Sequence, residues 1–118
     1  MSDSPTLRIK DSLGVAKKLP LIVVPIYNHA ATLSAVLHDL NLLGYPILVV
    51  NDGSSDDIAT PLSLFPQNDV VHHSANLGKG AAIATAMRFA AERGYRAILT
   101  FDADGQHLAR DVPFLVAA

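Results

Sequence analysis

Short apolar runs recur along this chain: Leu21-Ile22-Val23-Val24, Ile47-Leu48-Val49-Val50 and, with a single Thr, Ala97-Ile98-Leu99-Thr100-Phe101. A strand with one wet face alternates apolar and polar residues. An uninterrupted apolar run belongs to a strand buried on both faces, as in a parallel sheet covered by helices. Val70-Val71-His72-His73 reads as a shorter strand of the same set. Between the first two runs, Leu33, Val36, Leu37, Leu40 and Leu43 fall on one helical stripe that stops at Gly44, a residue suited to the left-handed position after a helix. Residues 56–64 are ambiguous, because Pro61 breaks any long helix there. Residues 78–93 are rich in Ala, place Ile83, Met87 and Ala90 on one stripe, and are followed by Gly94.

Alternation of strand and helix predicts an α/β fold: a Rossmann-like, mostly parallel sheet with helices on both faces and right-handed crossovers. The closing Leu115-Val116-Ala117-Ala118 reads as the first turns of another helix, so the sheet reads as cut short after its fourth strand. An apolar edge near Ala97 to Phe101 is then expected to lie exposed and to promote self-association into a homo-oligomer.

Composition narrows the class. The chain has 118 residues, 50% of them hydrophobic and 17% charged, which excludes a disordered polymer and suits one compact unit. Its net charge of −2 argues against a nucleic-acid partner. Residues 1–19 form a polar tail with Arg8, Lys10, Lys17 and Lys18 against Asp3 and Asp11, leaving the body of residues 20–118 more acidic than the whole. Residues 19–38 lack Asp, Glu, Lys and Arg, but Pro20, Pro25, Asn28 and His29 interrupt them, so they do not read as a membrane span. With no apolar leader either, a soluble, cytoplasmic domain is expected. The absence of Cys leaves only hard or imidazole ligands for a metal, which favours Mg²⁺ or Mn²⁺.

In an open parallel sheet, ligands bind beyond the carboxyl ends of the strands, where loops converge and helix N-termini point at them. The polar residues of this chain collect there: Pro25-Ile26-Tyr27-Asn28-His29, Asn51-Asp52-Gly53-Ser54-Ser55-Asp56-Asp57, Ser74-Ala75-Asn76-Leu77-Gly78-Lys79-Gly80 and Asp102-Ala103-Asp104-Gly105-Gln106-His107. Asp102 and Asp104, a two-residue step apart, repel unless a cation or a shared proton offsets their charge, and Gln106 adds a neutral oxygen at the same step. They read either as metal ligands or as an Asp-rich turn capping a helix. Asp52 faces a ribose or a base edge, or else makes a local Asx-turn. Tyr27 and Asn28 line a base pocket, or Tyr27 simply packs at its strand end. Lys79 opens the Ala-rich helix beside a phosphate, or is an exposed first-turn lysine. His72 and His73 alternate faces and read as structural.

Taken together, Val24-Pro25-Ile26-Tyr27-Asn28, Val50-Asn51-Asp52-Gly53-Ser54-Ser55-Asp56, Asn76-Leu77-Gly78-Lys79-Gly80 and Phe101-Asp102-Ala103-Asp104-Gly105-Gln106-His107 resemble the N-terminal part of a family-2 inverting glycosyltransferase with the GT-A fold. The last element is similar to that of dolichyl-phosphate mannosyltransferases and other polyprenyl-phosphate sugar transferases. The resemblance implies a UDP- or GDP-linked sugar as donor, with Pro25 and Tyr27 at the base, Asp52 at the base or ribose, and Asp102 and Asp104 at the metal and diphosphate. Gln106 resembles a further metal ligand of the polyprenyl-phosphate branch, and Asn28, Lys79 and Ala103 fall within the donor-binding motifs. His29 stands where the family often has Glu. The acceptor implied is a polyprenyl phosphate or a glycan, with membrane association open for a longer protein. Any catalytic base is expected beyond Ala118, so the chain is expected to bind donor weakly and not to turn over alone.

Two alternatives stand beside this reading. Phe101-Asp102-Ala103-Asp104-Gly105 also fits a haloacid-dehalogenase-like phosphatase, although Gln106 replaces that family's Thr and the motif there opens the fold. A non-catalytic nucleotide-binding or interaction domain would keep the fold without the chemistry.

Overall fold

The computed structural model describes residues 19–103 and Phe114–Val116. The elements follow in the order β1 (Leu21–Ile26), α1 (Ala30–Asn41), β2 (Ile47–Asn51), α2 (Ala59–Ser63), β3 (Asp69–His72), α3 (Lys79–Glu92), β4 (Ala97–Thr100) and β5 (Phe114–Val116). The sheet order is β3-β2-β1-β4-β5. β1 pairs in parallel with both β2 and β4, and β2 with β3, while β5 runs antiparallel to β4.

The apolar runs do what their lack of alternation demands. Leu21, Ile22, Val23 and Val24 are all fully buried, as are Leu48, Val49 and Val50. Successive side chains leave opposite faces of a strand, so the run feeds two cores. Ile22, Val24, Ile26 and Val49 pack with Leu33, Val36, Leu37 and Leu40 of α1 on one face. Leu21, Val23, Leu48, Val50 and Ile98 pack with Ala82, Ala86 and Ala90 of α3 on the other. Each fully buried Leu, Ile or Val contributes about 1.5–3 kcal/mol, so this central sandwich carries most of the stability. The expected mostly parallel sheet with helices on both faces is therefore present.

Several details differ from the sequence reading. The buried stripe of α3 is Ala82, Ala86 and Ala90, while Ile83 and Met87 only flank that core. Small residues let the helix backbone lie close to the sheet, and the larger ones fill its margins. Leu43 lies beyond the end of α1 and is exposed. Residues 59–63 do form a short helix, with Pro61 buried in its first turn, where a missing N–H costs nothing.

The larger correction concerns the end of the chain. Residues 114–116 form a strand rather than a helix, with Val116, Leu115 and Phe114 in register with Ala97, Ile98 and Leu99. β4 is thus an inner strand: among the described residues the sheet does not end at the fourth strand, and Ala97, Ile98 and Leu99 are paired rather than an open edge. An antiparallel strand closing an otherwise parallel sheet satisfies the outward N–H and C=O groups of β4. Residues 1–18 of the polar tail lie outside the described residues, as do Asp104, Gly105, Gln106 and His107. No helix among the described residues is long and apolar enough to cross a membrane.

Candidate functional site

Chain order and sheet order part company at β1: from there the chain moves outward to β2 and β3, then returns to place β4 on the other side of β1. Such a switch point leaves a crevice at the carboxyl edge. A cavity of ≈ 320 Å³ opens there, lined by Pro25, Ile26 and Tyr27 after β1, Asp52 after β2, Asn76, Gly78 and Lys79 after β3, and Asp102 after β4, with Ala82 behind. Four loops, separated in sequence, meet at one place.

The β1 and β2 loops are tied together by Asn28. Its backbone takes the left-handed conformation at φ 58°, which Asn tolerates better than most residues. Its side-chain oxygen accepts the N–H groups of Ser55 at 2.7 Å and Asp56 at 3.3 Å, and its own N–H donates to the Ser54 hydroxyl at 3.0 Å. Asp56 reciprocates by accepting the Ala30 N–H at 2.9 Å, capping α1 from another loop because His29 offers no cap of its own.

Asp52 anchors the next loop. It is 4% exposed and accepts donors on both oxygens. Oδ1 takes the His73 Nδ1–H at 2.8 Å and the Leu77 N–H at 2.9 Å. Oδ2 takes the Gly78 N–H at 2.8 Å and the Asn76 side-chain amide at 3.2 Å. Burial pushes this carboxyl up, but the bonds from His73, Leu77 and Gly78 and the charge of His73 outweigh it, and the pKa lies below its ordinary value of 3.8. The Asx-type turn is made one residue earlier, where Asn51 Oδ1 accepts the Ser54 N–H at 3.0 Å. Gly53 permits the close loop crossing. At φ 76°, a Cβ on it would stand 2.4 Å from the carbonyl carbon of Ala75.

At the opposite wall the Lys79 ammonium donates to Asp102 Oδ1 at 2.6 Å. Lys79 is the first residue of α3, and Asp102 stands at the mouth of β4 with a side chain 30% exposed. Of the expected site residues, Pro25, Tyr27, Asp52, Lys79 and Asp102 share the cavity. Asn28 and Ala103 are not on its wall. Asn28 is spent on the loop crosslink, and Ala103 is buried in the α1-side core, its carbonyl accepting the Thr32 hydroxyl. Asp104 and Gln106 lie outside the described residues.

The sequence reading placed Asn76 and Gly78 in a loop at this edge without giving either its own role, and it gave no part in the site to Ala82, which lines the cavity, or to His73, which holds Asp52. The histidines do alternate faces, His72 meeting the Asn51 side chain at 3.0 Å. The available signal was the position of His73, one residue past β3 on the same edge as the polar loops.

A family model for glycosyl transferase family 2 matches residues 21–118, almost everything after the tail. The chain belongs to that family. As a family-2 chain it is 35% identical over 95 residues to an uncharacterized protein of Methanocaldococcus jannaschii, covering 80% of this chain and 39% of that one. It is 30% identical over 115 residues to the UDP-N-acetylglucosamine–dolichyl-phosphate N-acetylglucosaminyltransferase of Methanococcus voltae, covering 83% and 46%. To the undecaprenyl-phosphate mannosyltransferase of Micrococcus luteus it is 32% identical over 104 residues, covering 83% and 43%. The chain thus spans less than half the length of these relatives. The family match leaves the phosphatase alternative without support.

Proposed function

We propose that this family-2 chain binds the nucleotide-sugar donor of a glycosyltransferase, with the nucleoside diphosphate in the cavity at the carboxyl edge of β1 and β4. The observation that carries the reading is the meeting of Lys79 and Asp102 on that cavity with Pro25 and the exposed Tyr27, 46% accessible. An aromatic ring and a proline offer a base an apolar surface, while a lysine ammonium at a helix N-terminus suits a diphosphate. The base is UDP- or GDP-type, and the acceptor is a polyprenyl phosphate or a glycan. The names of the relatives favour the polyprenyl phosphate, which would bring the whole protein from the cytoplasm to a membrane surface.

Asp102 gives the cavity wall a hard carboxylate oxygen, which fits Mg²⁺ or Mn²⁺, and Asp104 and Gln106 would complete the ligand set. When bound, the ion supplies charge neutralisation for the departing diphosphate. The chain's own residues have separate tasks: Lys79 adds positive charge beside the same oxygens, Tyr27 and Pro25 orient the base, and the Asn28 crosslink keeps their loop in place. These actions suit an inverting displacement at the anomeric carbon, in which an already ionised phosphate acceptor needs little help from a base.

Calorimetric titration with UDP and with GDP, each with and without Mn²⁺, tests the proposal. Metal-dependent binding that is lost in Asp104→Ala is expected. Binding of neither nucleotide under any of these conditions would overturn it.

A further inference from the structure

His73 is held on both sides of its ring. An ionised carboxylate can only accept, so Nδ1 carries the proton given to Asp52. Nε2 lies 2.8 Å from Thr85 Oγ1 on α3, and Thr85 Oγ1 also receives Arg88 Nη2 at 3.3 Å. A chain of donors therefore runs inward from Arg88 through Thr85 and His73 to Asp52. The histidine and aspartate side chains it ends on are only 10% and 5% exposed.

Both oxygens of Asp52 are engaged by the protein itself. A carboxylate offers about four lone-pair positions. His73, Leu77, Gly78 and Asn76 donate to them. The carboxylate therefore holds the protein's own loop. What it holds is the backbone at Leu77 and Gly78, immediately before Lys79, at a glycine whose φ of 101° few other residues adopt.

Resting on the donor-site reading above, we infer that His73 is a positioning residue for the cavity: through Asp52 it fixes the Leu77–Gly78 backbone and so sets Lys79 against Asp102. His73 does not itself line the cavity. Its effect passes through Asp52, whose carboxylate it orients.

Two measurements on the full chain test this. One is amide hydrogen exchange at Leu77 and Gly78 without ligand; the other is the Kd for UDP and GDP with Mn²⁺. His73→Ala is expected to speed exchange at both amides about tenfold and to raise the Kd about tenfold, the effect of losing one charge-assisted hydrogen bond. His73→Asn places an amide N–H where Nδ1–H was and is expected to restore most of both. His73→Gln, whose amide reaches the Nε2 position instead, is expected to behave like Ala and stands in for it if Ala fails to fold. Unchanged exchange in the Ala and Gln variants, or an Asn variant as impaired as they are, overturns the clamp. Faster exchange with an unmoved Kd overturns the positioning role. If the wild-type chain binds neither nucleotide, the donor-site reading fails, and the exchange comparison alone decides whether His73 clamps the loop.

Discussion

The ammonium of Lys79 lies 2.6 Å from Oδ1 of Asp102, joining the first turn of α3 to the first loop beyond β4. The pair lines a cavity that Pro25 and Tyr27 also line. The lysine side chain is 61% exposed, so water screens the attraction and the pair adds less than about 1 kcal/mol to stability. On the proposed donor site, its value would lie in binding. Lys79→Met is expected to leave the melting temperature within about 3 °C of wild type. The same variant should weaken binding of a nucleoside diphosphate about tenfold, as expected for a lost charge-assisted contact. Calorimetry with UDP and GDP beside a thermal melt separates the two effects. A large loss of stability with unchanged affinity would refute this division.

Asp52 makes stability depend on pH in a definite direction. Burial raises its pKa, the bonds from His73, Leu77 and Gly78 lower it further than burial raises it, and the folded value lies below 3.8. A carboxyl with a depressed folded pKa adds stability that is fully present above its unfolded value and is lost as pH falls through the folded one. Urea denaturation of the wild type should therefore lose stability progressively below about pH 5. Asp52→Asn turns an NH₂ donor towards N–H donors and should cost about 1–3 kcal/mol at neutral pH. That variant should also flatten the acid limb, and equal acid slopes in both proteins would count against the assignment.

The parts of the architecture that rest on burial were legible in the residues. Leu21 to Val24 admit no wet face, and that alone demands a sheet with helices on both sides. The meeting of four polar loops followed from the shared carboxyl edge of parallel strands. What escaped depends on size or on distance. Ala82 and Ala86 lose to Ile83 and Met87 on any hydrophobicity scale, yet a helix lying close to a sheet buries its smallest side. Phe114 to Val116 suit a strand or a helix start, and only the unpaired side of β4 decides between them. The carboxylate of Asp52 could have turned back on its own loop. It crosses instead to residues 73–78, a choice that periodicity does not encode.

Gly53 is the hinge of that crossing. Its φ of 76° is strained for any residue with a side chain, and an added Cβ would meet Ala75 C at 2.4 Å and Asn76 N at 2.5 Å, both backbone atoms that cannot swing aside. Gly53→Ala should therefore destabilise by about 2 kcal/mol or more, through the combined conformational and steric cost. Gly44 provides the control: its φ is 78°, but nothing lies within 4 Å of an added Cβ. Gly44→Ala should cost only the left-handed strain, about 1 kcal/mol. Equal losses in the two variants by urea denaturation would mean that the loops separate easily.

The last prediction concerns the cap that one loop lends to another helix. Asp56 Oδ2 accepts the Ala30 N–H at 2.9 Å, and the Asp56 N–H donates to Asn28. The carboxylate thus satisfies a free donor at the N-terminus of α1 and places negative charge where the helix dipole favours it. Removing the side chain in Asp56→Ala should cost about 1 kcal/mol, while Asp56→Asn keeps an acceptor and should lose only part of that. Because Asn28 ties this loop to the one carrying Tyr27, Asp56→Ala should also speed amide exchange at Ala30 and weaken nucleotide binding modestly, leaving Leu77 and Gly78 protected. Exchange that rises equally in both loops would mean that the β1 and β3 edges of the cavity open together, and the separate anchors at Asn28 and Asp52 would then have to be treated as one.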